Sequence, residues 1–193
     1  MRAPLTRDLV VRTARATVEH EGVEGLSLRG LARELGVTAP ALYAYVQDKQ
    51  DLLAALATER FERLVERFDA IDETDPLERI RALSRAYVDH AIEAPALFHL
   101  MLRYPPRPVA GMEAFPPATR AFEEAAEATA AAIRAGQLAV DDAAVASLTM
   151  WAAVHGVAEV LLLGFVADDA AARSLVDSVI DTVLAGQIHP LGG

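Results

Sequence analysis

The chain has 193 residues, 53% of them hydrophobic, so it is long and apolar enough for one or two small domains with a core, and its composition is not that of a disordered chain. It contains no cysteine, which excludes disulfides, thiolate metal sites and cysteine nucleophiles. The net charge of −10 divides unevenly: residues 1–50 carry six Arg, one Lys and six acids (net +1), and residues 51–193 carry eleven Arg and twenty-two acids (net −11).

The amino-terminal sequence MRAPLTRDLVVR has no apolar signal-peptide region, so a cytoplasmic protein is expected. A first helix is predicted from about Thr6 to Glu21, capped by Thr6, with Val10, Ala14 and Val18 on one face and Gly22 ending it. After Val23-Glu24-Gly25-Leu26, Ser27 caps a second helix whose apolar face is Leu28, Leu31, Ala32 and Leu35. Gly36 stands where a left-handed residue closes that helix. Thr38 is then expected to cap a third helix through its hydroxyl, with Pro40 tolerated in the first turn. Leu42 and Val46 turn inward, and Ala39, Pro40, Ala41, Tyr43, Ala44 and Tyr45 face elsewhere. A helix this short cannot stand alone. Docked on its predecessor it makes a helix-turn-helix, whose usual work is to set the second helix in the DNA major groove.

Asp48 caps a long fourth helix, with Asp51 completing a capping box and Leu53, Leu56, Ala57, Phe61, Leu64 and Phe68 forming its stripe. Asp75-Pro76-Leu77-Glu78 starts a fifth helix that carries Leu77, Ile80, Leu83, Tyr87 and Ala91 inward and stops at Ala94-Pro95. A short sixth helix spans Ala96–Leu102, and the proline-rich 104–117 is a loop. The seventh runs over about Ala118–Ala135 and ends at Gly136. Asp141 caps the eighth, which reaches Leu163 before Gly164; the ninth spans about Asp169–Leu184, with Gly186 beyond it. The fold expected is all-α with about nine helices: a helix-turn-helix domain over 1–47, joined by the long helix to a second domain over 48–193. Ala143–Leu163 is apolar enough to raise a membrane span, but His155 and Glu159 lie in its middle and would be costly in lipid, so a buried interface helix is the reading.

With these elements in place, residues 6–68 resemble the DNA-binding domain of TetR-family transcriptional regulators. The resemblance lies in Thr6, Gly22, Leu28–Leu35, Gly36-Val37-Thr38, Ala41-Leu42-Tyr43, Tyr45-Val46 and Lys49, in the order ALYxYVxxKxxLL. Trp151–Gly156, WAAVHG, resembles a Trp…His-Gly element of one C-terminal subgroup. The resemblance implies that Ala39, Pro40, Ala41, Tyr43 and Tyr45 meet double-stranded operator DNA in the major groove. It implies that Arg29 contacts a base, that Lys49 contacts a phosphate, and that Ser27 and Thr38 cap helix ends that face the backbone. The third helix holds no Asn, Gln or Arg before Gln47, so base reading leans on Arg29, methyl contacts and DNA shape.

The same resemblance implies a small-molecule effector bound among helices four to eight. The polar and aromatic candidates are Tyr87, His90, Phe98, His99, Met101, Arg103, Tyr104, Trp151, His155 and Glu159, and apolar surroundings favour a hydrophobic or aromatic ligand. Trp151, His155 and Glu159 share one helix face, which suits a pocket wall, a core His–Glu pair or a dimer contact. Small and branched residues on the last two helices (Ala152, Ala153, Val157, Leu161, Leu175, Val179, Val183) suit a twofold four-helix interface or an internal core. No metal, cofactor or catalytic constellation is expected, and the chain is read as no enzyme. The function expected is a ligand-responsive repressor; the alternative is a helical ligand-binding or interaction module without DNA binding.

Overall fold

Glycines at helix ends set the punctuation of the amino-terminal half. The computed structural model describes residues 4–104, 116–166 and 168–188. Helix α1 is Arg7–Gly25, entered through Thr6, whose Oγ1 accepts from the Leu9 amide at 3.1 Å. Gly22 breaks it with φ 74° and ψ 176°, so the regular helix ends at Glu21 as the sequence predicts, and the last turn is a separate piece. Val10, Ala14 and Val18 are fully buried. Helix α2 is Leu28–Leu35 and α3 is Ala39–Leu42. Helix α4 is Lys49–Asp69, and its predicted stripe, Leu53, Leu56, Ala57, Phe61, Leu64 and Phe68, is buried throughout.

Helix α5, Pro76–Glu93, starts where Asp75 Oδ1 accepts from the Leu77 and Glu78 amides, both at 3.0 Å. Helices α6 (Pro95–Arg103), α7 (Pro116–Arg134), α8 (Ala143–Leu162) and α9 (Asp169–Ile188) follow. Among the described residues there are nine helices and no strand, the all-α architecture expected. The predicted loop over 104–117 lies mostly outside the described residues.

Three boundaries differ from expectation, the first being that α7 begins at Pro116, inside the stretch read as loop, where prolines suit a first helical turn. Asp142, not Asp141, caps α8, its Oδ1 accepting from Ala144 and Val145; with two neighbouring aspartates only the chain path decides which one meets those amides. Gly186 lies inside α9, which continues to Ile188. There the packed Leu184 and the Gln187 side chain, whose Nε2 donates to the Ala146 carbonyl at 3.0 Å, hold the last turn despite the weak propensity of glycine.

The helices form two compact units. Residues 1–62 and 94–116 make the first, in which α1 packs on α2 and on α6. Residues 63–93 and 117–193 make the second, in which α8 packs on α5 and α9. There Arg81 and Arg85 of α5 pair with Asp181 and Asp177 of α9, the second at 2.7 Å, and Arg120 of α7 pairs with Asp69 at 2.7 Å.

Candidate nucleic-acid interface and effector cluster

The helix-turn-helix is built from its turn outward. Gly36 has φ 61° and ψ 40°, and its amide donates to the carbonyls of Ala32 and Arg33. The Val37 amide donates back to Ala32 at 2.9 Å, which closes α2 in the way a left-handed glycine allows. At the other end Ser27 Oγ accepts from the Gly30 amide at 3.1 Å. Leu31, Ala32, Leu42 and Val46 are buried, so α2 and α3 dock through one apolar seam.

That seam fixes what the outer face offers. Ser27, Arg29, Thr38, Pro40 and Tyr43 are exposed; Ala39, Ala41, Tyr45 and Lys49 are half-buried. Tyr43 is 59% exposed, which places its phenol on the outer face and outside the core. Thr38 departs from expectation: its backbone has the cap conformation, but its hydroxyl makes no cap hydrogen bond. The reason is local. Helix α3 is one turn long, and Ala41, Tyr43 and Tyr45 each donate to the carbonyl three residues back. The Ala41 amide already takes the Thr38 carbonyl at 3.0 Å in this tightened turn.

Lys49 does not simply extend into solvent. Its Nζ donates to the Val23 carbonyl at 2.9 Å, in the connection ahead of α2. An ammonium has three donors, so this contact fixes the charge in place and leaves two N–H groups for a phosphate oxygen. Asp48 Oδ1 caps α4 by accepting from the Asp51 amide at 2.7 Å, as expected. The Asp51 carboxylate reaches further back than a capping box requires, to the Gln47 amide at 3.0 Å, and also accepts from Arg7. Burial pushes the Asp51 carboxyl up, but the Arg7 hydrogen bonds, the Gln47 amide and the Arg7 charge together hold it below its ordinary value. Sequence reading missed Arg7, because its partner lies 44 residues away and no local spacing announces the pair.

In the second unit four expected effector residues come together. Tyr87 of α5 is buried, and its Oη lies 3.1 Å from Nδ1 of His155 on α8. Trp151 stacks on His155, ring centroids 5.5 Å apart and planes 20° from parallel. Glu159 Oε1 stands 4.0 Å from His155 Nε2. Burial raises the Tyr87 phenol well above its ordinary value; the Trp151 indole opposes this and the Glu159 charge adds to it. His90, one turn along α5, is fully buried. Phe98, His99 and Arg103 lie on α6 and belong to the first unit, where Phe98 is fully buried and His99 and Arg103 are exposed. The cluster offers an aromatic platform, a hydroxyl and an imidazole, a set able to stack and hydrogen-bond a planar ligand.

Helix α8 is less buried than the sequence suggests. Only 33% of its most apolar stretch is buried. Its buried side is Ala146, Ser147, Met150, Val154, Val157 and Ala158. The opposite side carries exposed Val145, Leu148, Ala152, Gly156, Val160 and Leu163, and Phe165 beyond it is 77% exposed. Trp151 and His155 stand at one flank of that side. Of the residues read as interface candidates, Val157 is core, and Leu161, Leu175, Val179 and Val183 are half-buried. Among the described residues no three His, Asp or Glu side chains gather as metal ligands.

Comparison with known proteins adds two family matches. Residues 10–56 match the model of bacterial regulatory proteins of the tetR family, and residues 80–183 match that of the tetracyclin repressor-like C-terminal domain. An uncharacterised HTH-type transcriptional regulator of Bacillus subtilis is 32% identical over 102 residues, 52% of this chain and 53% of that protein. The chain thus spans about half the length of this curated relative. The tetracycline repressor protein class C of Escherichia coli is 49% identical over 53 residues, 28% of this chain and 24% of that protein. A solved structure from Rhodococcus sp. RHA1, a protein with unknown function, superposes with a TM-score of 0.85 at 31% identity, covering 97% of both chains.

Proposed function

Because the chain belongs to the TetR family of bacterial regulatory proteins, we propose that it is a ligand-responsive, DNA-binding transcriptional regulator, a repressor released from its operator by a small hydrophobic or aromatic effector. The observation that carries the reading is the outer face of the helix-turn-helix: a seam of Leu31, Ala32, Leu42 and Val46 leaves Arg29, Pro40 and Tyr43 exposed together. In this reading residues 1–47 read DNA and residues 48–193 bind the effector and a second copy, in the cytoplasm. Ala39, Pro40, Ala41, Tyr43 and Tyr45 enter the major groove, Arg29 pairs with guanine, and Ser27, Thr38 and Lys49 meet phosphates.

The effector engages Tyr87, Trp151 and His155, where stacking and one hydrogen bond are available side by side. Its differential affinity for the bound and released states drives release. The second copy seats on the exposed side of α8. A contiguous apolar strip of Val145, Leu148, Val160 and Leu163 is unusual on a lone soluble surface, and Gly156 at its middle, where an added Cβ meets nothing within 4 Å, lets another backbone approach. Two copies present two recognition helices to two half-sites, which one copy cannot do.

A gel shift with the DNA flanking the protein's own gene tests the reading. Retardation by the wild-type protein, lost with Tyr43→Ala, is the expected result. No sequence-selective retardation, with or without cell extract, would overturn it in favour of a helical ligand-binding module.

A further inference from the structure

The first turns of α1 and α4 hold the chain that leads out of the recognition helix. Arg7 Nη1 donates to the Tyr45 carbonyl at 2.6 Å. Its Nη1 and Nη2 also meet Asp51 Oδ2 and Oδ1, each at 3.2 Å, the paired geometry that a guanidinium and a carboxylate form best. Asp51 Oδ2 accepts in turn from the Gln47 amide at 3.0 Å. The main-chain bonds of residues 43–48 themselves are turn bonds, from Tyr43 to the Pro40 carbonyl and from Tyr45 and Val46 to that of Leu42, and at the far end the Asp48 carbonyl accepts from Leu52. Two main-chain groups of that segment, one carbonyl and one amide, are therefore held from outside by a single ion pair.

An exposed ion pair alone contributes little. This one is paired twice, and each member also holds a main-chain group of the same segment, so losing either member loosens both anchors. The depressed carboxyl of Asp51 agrees with a carboxylate stabilised by these donors. Neither residue belongs to the set that the family resemblance aims at DNA.

We infer that Arg7 and Asp51 are positioning residues for DNA recognition: their clasp fixes the segment carrying Tyr43 and Tyr45 without itself touching nucleic acid. The inference rests on the DNA-binding reading above. It is tested with the full-length Arg7→Ala, Asp51→Ala and double variants. The DNA is a duplex selected by the wild-type protein from a random-sequence library.

Each single variant is expected to bind that duplex about fivefold more weakly, and the double variant no more weakly than either single, since both remove one clasp. The salt dependence of binding stays at the wild-type slope, and Arg7→Lys recovers part of the affinity because an ammonium still reaches one acceptor. Without DNA, the amides of Tyr45, Val46 and Gln47 exchange with solvent about fivefold faster in the single variants. Additive losses in the double variant, a slope lowered by about one unit in Arg7→Ala, or unchanged amide exchange would each overturn the clasp. A wild-type protein that selects no duplex would instead overturn the regulator reading, and the exchange measurement, which needs no DNA, would still decide whether the clasp holds the segment.

Discussion

The hydroxyl of Tyr87 and Nδ1 of His155 lie 3.1 Å apart across α5 and α8, although 68 residues separate them in the chain. Burial raises the phenol above its ordinary value of 10.0, with the Trp151 indole opposing the rise and Glu159 adding to it. The folded state therefore keeps the Tyr87 proton where the unfolded chain loses it. Stability from this group is fully present below about pH 10 and is lost as pH rises past it, because the unfolded chain then binds fewer protons. Tyr87→Phe should flatten the alkaline limb of a urea-unfolding series and cost about 1 kcal/mol at neutral pH through the lost hydrogen bond. Parallel alkaline limbs for the two proteins would show that Tyr87 is not the group responsible.

Ser27 and Thr38 look alike in sequence and differ in what they do. Ser27 Oγ takes the Gly30 amide, whereas the Thr38 hydroxyl takes none. Ser27→Ala should cost about 1 kcal/mol of unfolding free energy, the usual loss for a helix cap. Thr38→Ala should stay within about 0.5 kcal/mol of wild type, as exposed positions without a partner do. Chemical denaturation of the two variants checks both; equal costs would contradict the cap geometry.

Lys49 carries its charge beside the Val23 carbonyl, fixed ahead of α2. If its two remaining donors meet a phosphate, Lys49→Ala weakens binding to all DNA sequences alike and lowers the salt slope by about one unit. Affinities measured at several salt concentrations, on a selected duplex and on an unrelated one, give the slope and the selectivity together. A loss confined to the selected duplex would refute phosphate contact.

Leu148 lies in the middle of the exposed side of α8 and is 46% exposed. A carboxylate there faces no crowding within one chain but would be buried against its own copy in a twofold pairing. Leu148→Glu should therefore yield monomers by sedimentation while leaving helix content unchanged. A variant that remains dimeric would place the interface on another surface.

Much of this architecture was readable in advance, because helix boundaries are chemical. Gly22 ends the regular part of α1, and Gly36 adopts the left-handed conformation that its position suggests. Ser27, Asp48 and Asp75 accept from the amides their spacing predicts. The periodicity of α1 and α4 matched their buried faces, since a 3.6-residue repeat needs no knowledge of what lies opposite. Legibility stopped where two neighbours were chemically alike, as with Asp141 and Asp142, and where packing outweighed propensity, as at Gly186.

The sequence by itself determined the helical class and the helix-turn-helix, because caps, turns and apolar periods act within a few residues. Only the tertiary structure decided that Arg7 clasps Asp51 and Tyr45, that Lys49 is tied to Val23, and that Tyr87 meets His155 and Trp151. It alone also showed that α8, apolar enough to seem buried, leaves one side open. These are meetings between side chains far apart in the chain, and their geometry is set by how whole helices pack.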